Sequence, residues 1–167
     1  MDVNGDGKME KAEYVNKTAE RIGMVTNSDE KKDKLNLYLL QIWDTWWQTI
    51  MNENNLESVS VDDFLSKKAE TKTKVLDKFH LEIENGWHLT FFEVVDANED
   101  NSLDKDEFDN FLKIFRAQSF PEIFYEIDTN NNGAISKGEM LINGLLWVVS
   151  NSLKGGHLYG KITDSSP

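Results

Sequence analysis

Three stretches of the chain place oxygen-bearing side chains at the same offsets within twelve residues: Asp2 to Glu13, Asp96 to Glu107 and Asp128 to Glu139. Positions 1, 3, 5, 9 and 12 of the first are Asp2, Asn4, Asp6, Glu10 and Glu13, with the Lys8 carbonyl at position 7 and Gly7 at position 6. The next copy has Asp96, Asn98, Asp100, Asp104 and Glu107, the Ser102 carbonyl, and Asn101 at position 6. The last has Asp128, Asn130, Asn132, Ser136 and Glu139, the Ala134 carbonyl, and Gly133 at the turn. Oxygen ligands at 1, 3, 5, 7, 9 and a bidentate acid at 12 suit a hard divalent cation, and a sharp turn at position 6 favours glycine or, second best, asparagine. Position 8 is apolar each time: Met9, Leu103 and Ile135. The pattern predicts three calcium loops, with magnesium competing.

Such a loop is the centre of an EF-hand, a helix-loop-helix unit that pairs with a second unit through a short antiparallel contact at position 8. A weak fourth copy lies after the first loop. Setting Val59 at position 8 puts Asn52, Asn54, Leu56, Ser60 and Asp63 at the ligand positions and Glu57 at the turn. Leucine cannot ligate calcium and Asp63 is one methylene short of glutamate. This loop is expected to stay empty and to serve as the first hand's partner through Val59.

The fold class expected is all-α: four EF-hands in two paired lobes of one compact domain, residues 1–69 and 70–167, with a packing tail over about 153–167. The first loop begins at residue 2, so its entering helix is not in the sequence. A fragment, or a later start codon, is the favoured explanation. An unanchored loop must be ordered as it binds, at about 1–2 kcal/mol per residue, so its affinity should suffer.

Apolar spacing predicts a long helix from about Asp29 to Met51, through Leu35, Leu39, Ile42, Trp46 and Ile50, with Trp43 and Trp47 widening the stripe. Phe108, Phe111, Leu112 and Phe115 give the face of the helix leaving the third loop. Ser119, Pro121 and Glu122 resemble a capping box opening the helix of Phe124 and Ile127. Residues 67–78 read as a helical connection. Asn85-Gly86 is expected to break the chain before a helix carrying Trp87, Phe91 and Phe92.

The formal net charge of −12 opposes binding to nucleic acid and anionic membranes. Nine Phe and five Trp require a packed core. There is no cysteine, no long apolar run and no visible leader, so a cytoplasmic monomer without a membrane span is expected. His80, His88 and His157 have no metal-binding spacing and are assigned to the surface or tail. Phosphate loops, nucleophile elbows and cysteine nucleophiles are missing, and no enzymatic activity is expected.

Intact first, third and fourth loops, a degraded second loop, the aromatic helix with Leu40-Gln-Ile-Trp-Asp44, and the ending Gly155-Gly-His-Leu-Tyr-Gly160 together resemble the invertebrate sarcoplasmic calcium-binding proteins and calexcitins. Gly156 and Tyr159 depart from that family's usual ending. The resemblance implies a tail folded onto the body and a role in calcium buffering or, alternatively, signalling. A related branch, the coelenterazine-dependent photoproteins and luciferin-binding proteins, places aromatics where this chain has Trp87, Trp147 and Tyr159. Asn143 stands where photoproteins carry a histidine needed for chemistry, which argues against light emission. Hydrophobic-ligand binding is the third alternative, and core packing is the simpler reading of the tryptophans.

Overall fold

A computed structural model describes residues 6–48, 51–52, 57–60, 62–63, 66, 78–115 and 121–149, with backbone alone for 46, 78–80, 121 and 147–149. Helices dominate, as the apolar spacing requires. Among the described residues they include α1 (Thr18–Val25), α2 (Asp29–Ile42), α3 (Lys78–Val95), α4 (Lys105–Ile114), α5 (Pro121–Ile127) and α6 (Lys137–Val149). Among the described residues, four two-residue strands sit in the loops: β1 (Lys8–Met9), β2 (Val59–Ser60), β3 (Ser102–Leu103) and β4 (Ile135–Ser136).

The strands pair two by two, antiparallel. In one pair Met9 faces Val59, and in the other Leu103 faces Ile135. These are the four position-8 residues, so the degenerate second loop does partner the first. Pairing also explains their burial: Val59 is 3% exposed, and Leu103 and Ile135 are fully buried. The tail, and the expected junction near residue 69, lie outside the described residues, as do Ser119 and the side chain of Pro121.

Helix α2 begins where Ser28 accepts a bond from the Lys31 amide. Leu35, Leu39 and Ile42 point inward as predicted. The helix then changes register, because Trp43–Trp47 form a π-helical turn. The wider turn brings both Trp43 and Trp47 against Tyr14, with ring centroids 5.6 and 6.0 Å away. Tyr14 itself lies in a second π-helical segment, Glu13–Lys17, which continues into α1. A 3.6-residue period could not anticipate either turn. Of the remaining predicted stripe, the side chain of Trp46 and all of Ile50 lie outside the described residues.

The expected break at Asn85-Gly86 is wrong: α3 runs unbroken from Lys78 to Val95. Glycine inside a helix costs about 1 kcal/mol relative to alanine, and packing accounts for it here. The Tyr38 ring of α2 lies against Gly86 where a Cβ would stand. Beyond it, Trp87, Phe91 and Phe92 enter the core. Phe91 meets Phe111 at 5.7 Å and Phe115 at 5.0 Å, and Phe108 meets Phe124 at 6.0 Å.

His88 is also corrected. It is buried, not superficial, and its Nδ1 lies 2.7 Å from the Glu84 carbonyl oxygen one turn earlier. Burial pulls its pKa down to about 4, outweighing that bond, so the ring is neutral at pH 7 and Nδ1–H donates. Burial likewise pushes the Glu84 carboxyl up to about 7. Gly144 of α6 abuts the His88 ring, which occupies the space of a Cβ. Gly144→Ala should therefore force the ring or α6 aside and cost about 1–3 kcal/mol, read as a lower unfolding midpoint in denaturant. An unchanged midpoint would show that this contact yields freely.

Candidate metal centres in the loops

One hydrogen-bond scaffold recurs in the loops, and it follows from the residue types at each position. In loop three, Asp96 at position 1 accepts bonds from the Asp100 and Asn101 amides at 3.2 and 3.1 Å. In loop four, Asp128 does the same for Asn132 and Gly133 at 3.1 and 2.8 Å. The position 3 side chains bind the amide of position 5: Asn98 to Asp100 and Asn130 to Asn132. The position 5 side chains bind that of position 7, Asp100 to Ser102 and Asn132 to Ala134. The first loop repeats the last bond, Lys8 N–H to Asp6 at 2.9 Å. Its Asp2 and Asn4 lie outside the described residues.

Position 6 must turn the backbone into the left-handed region. Gly7 (φ 80°), Asn101 (φ 66°) and Gly133 (φ 85°) all do so, and asparagine substitutes for glycine as expected. Position 4 does so too: Glu99 has φ 59° and Asn131 φ 55°. The ligand pattern is silent about position 4, and sequence reasoning passed over it.

Position 12 closes each loop. Glu107 reaches back ten residues, where its Oε1 accepts from the Ala97 amide at 2.9 Å, and its Oε2 accepts from the Asp104 amide at 3.1 Å. Asp104 returns a bond to the Glu107 amide, so positions 9 and 12 also form the capping box that starts α4. Glu139 is held more densely. Its Oε1 accepts from the Thr129 amide and hydroxyl and from Asn130, and its Oε2 from the Ser136 amide and hydroxyl. Burial pushes the Glu139 carboxyl upward, but these donors prevail and bring its pKa down to about 2. In loop one the Glu10 amide approaches Glu13 at 3.4 Å. The degenerate loop keeps the same closure, Ser60 to Asp63 at 3.0 Å, although Asn54 and Leu56 lie outside the described residues. Its strand pairing and this closing bond survive.

The acids fit a cation. Asp96, Glu107, Asp128 and Glu139 are 1–7% exposed, and among the described residues none of them has a lysine, arginine or histidine partner. Four buried anions held by neutral donors favour a cation that would offset their charge. Among the described residues no three acidic or histidine side chains gather into a cluster able to hold an ion by themselves. Loop four has only two acids, and those of loop three are spread along the amide donors. Any cage must therefore add the amide, hydroxyl and carbonyl oxygens at positions 3, 5, 7 and 9, which is the EF-hand recipe.

Comparison with known proteins agrees. Residues 90–112 and 122–141 match the family model described as EF hand. No curated protein sequence matches the chain significantly. Among solved structures, calcium-loaded apo-aequorin from Aequorea victoria is similar at a TM-score of 0.68 and 14% identity, over 89% of this chain and 84% of that one. Magnesium-loaded apo-berovin, a ctenophore photoprotein, gives 0.64 and 20% over 84% and 77%. The calcium-loaded apo form of the coelenterazine-binding protein from Renilla muelleri gives 0.59 and 21% over 96% and 89%. At such identities the likeness is one of fold. No helix among the described residues is long and apolar enough to cross a membrane.

Proposed function

We propose that this EF-hand chain binds calcium and works chiefly as a buffer of the sarcoplasmic calcium-binding kind. The carrying observation is the closure by Glu107 and Glu139, two buried carboxylates folded across their own loops with no cationic partner among the described residues. In loop three the ion would be held by Asp96, Asn98, Asp100, the Ser102 carbonyl, Asp104 and Glu107. In loop four it would be held by Asp128, Asn130, Asn132, the Ala134 carbonyl, Ser136 and Glu139. The bound ion supplies positive charge to a chain with a net charge of −12. Magnesium, bound by berovin in the solved relative, is the expected competitor. The first loop is a weaker third site, with Asp6, Glu10 and Glu13 joined by Asp2, Asn4 and the Lys8 carbonyl.

Loop three presents four acids and loop four two, and anionic ligands raise calcium affinity. Titration calorimetry on Asp96→Ala and Asp128→Ala should show the larger affinity loss for Asp96→Ala. A larger loss for Asp128→Ala would reverse the ranking.

Buffering is preferred to sensing because, among the described residues, the buried core is mostly Phe, Trp, Leu, Ile and Val, with two Met. A sensor instead presents a Met-rich groove when its helices part. Calcium should therefore change tryptophan fluorescence without increasing the binding of an apolar dye. A strong calcium-induced dye signal would favour the calexcitin-like signalling alternative. A third reading, a bound hydrophobic ligand, draws on the likeness to the coelenterazine-binding protein and on Trp43, whose buried Nε1 has no acceptor among the described residues. Quenching of tryptophan emission by micromolar coelenterazine would support it, and unchanged emission would dismiss it. No catalytic role is proposed.

A further inference from the structure

The third hand is gripped at its entering helix, its loop and its exiting helix by basic residues from one helical hairpin of the amino-terminal half. Helix α2 lies antiparallel to α3 in a regular register. Lys31 meets Glu99 of loop three at 3.3 Å, Lys34 meets Glu93 of α3 at 2.8 Å, and Tyr38 lies on Gly86. As the α2 numbers rise, the partner numbers fall, so Lys31, Lys34 and Tyr38 form one stripe along the entering helix and into the loop. Leu35 and Leu39, both fully buried, fill the core beside that stripe.

Helix α1 holds the other side of the hand. The Arg21 guanidinium donates to the Ile114 carbonyl at 3.2 Å, at the carboxyl end of α4, where a helix leaves its last carbonyls unsatisfied and favours positive charge. The two gripping helices are tied to each other by the short connection Thr26 to Ser28. There the Ser28 amide bonds the Thr26 hydroxyl while the Ser28 hydroxyl caps α2. Both helices of hand three are thus fastened to one hairpin.

An EF-hand opens by changing the angle between its entering and exiting helices. We propose that Arg21, Lys31 and Lys34 form a clamp that keeps the third hand from opening when calcium binds, so that the ion is stored without exposing an apolar groove. Exposed ion pairs are individually weak, but these contacts act on one hand from one hairpin, and the Arg21 bond is partly buried. Lys31 also has a local task. It meets a glutamate held at φ 59°, a conformation that side chains adopt reluctantly.

The inference rests on the calcium reading, and the test separates the two. Calorimetry and apolar-dye fluorescence, each with and without calcium, are run on the full chain, on Arg21→Ala/Lys31→Ala/Lys34→Ala, and on Lys17→Ala/Lys32→Ala/Lys113→Ala. The last loses the same charge, but its lysines bond residues three positions away, Glu20, Asp29 and Asn110. The expected result is calcium uptake by all three proteins, with dye emission rising on calcium addition at least about fivefold in the clamp variant alone, as a population shift toward an open hand requires. A strong dye response in the unaltered chain, an equal response in the charge-matched control, or a silent clamp variant that still binds calcium would overturn the clamp. No calcium heat from the unaltered chain would instead sink the calcium reading, and the clamp with it. Should the triple variant fail to fold, Lys34→Glu should expose dye-binding surface on calcium addition and Lys34→Glu/Glu93→Lys should suppress it. Identical responses from those two would also overturn the proposal.

Discussion

Glu139→Gln should weaken calcium binding at the fourth loop by on the order of a hundredfold or more, because it removes one of only two acids among that loop's proposed ligands and the one expected to bind in bidentate fashion. The same change should damage the loop before any ion arrives. Both carboxylate oxygens accept bonds, Oε1 from Thr129 and Asn130 and Oε2 from Ser136. An amide has one acceptor oxygen and one donor nitrogen, so one group of N–H donors would face another donor. Leaving buried groups unsatisfied costs about 1–3 kcal/mol, so the calcium-free protein should also melt earlier. The Leu103 to Ile135 pairing joins the two loops, and a smaller loss of affinity is expected at loop three. Calorimetry and thermal melts of the variant check both effects. Wild-type affinity at loop four would show that Glu139 is not a ligand.

Calcium should raise the melting temperature by a large margin. Two sites with dissociation constants near a micromolar, in millimolar calcium, would together stabilise the fold by about 8 kcal/mol through mass action. For a chain of this size each kcal/mol moves the midpoint by roughly 2–4 °C, so excess chelator should lower it by about 15–30 °C. Two physical features point the same way. In loops three and four the acids at positions 1 and 12 are buried, with no cationic partner among the described residues, and the chain has a formal net charge of −12. Melting curves that coincide in calcium and in chelator would separate folding from metal.

The loops were legible in the sequence because each position carries its own chemistry: acid or amide for the ligand, glycine or asparagine for the turn, an apolar residue for the strand. That legibility reached the second loop, where Val59 pairs with Met9 although the ligand set has decayed. It ended where local pattern and tertiary packing conflict. Asn85-Gly86 looked like a break, and the Tyr38 ring makes it a helix interior. Trp43 and Trp47 looked like a widened α-helical stripe, and a π-helical turn brings both onto Tyr14. His88 and Glu84 are polar by type and buried in fact, and α6 offers Gly144 opposite the imidazole. Spacing along one strand of chain cannot report what a distant helix presents. The left-handed conformation of Glu99 was hidden for another reason, since position 4 is set by loop geometry and not by a ligand.

Calcium titration calorimetry on this chain, at micromolar protein in metal-free buffer, tests the central claim most directly. Two tightly bound ions are predicted, at the loops of Asp96 and Asp128, with a third, weaker event at the loop of Asp6 and Glu13. Absence of saturable heat up to millimolar calcium, with no ion retained in equilibrium dialysis, would contradict the account.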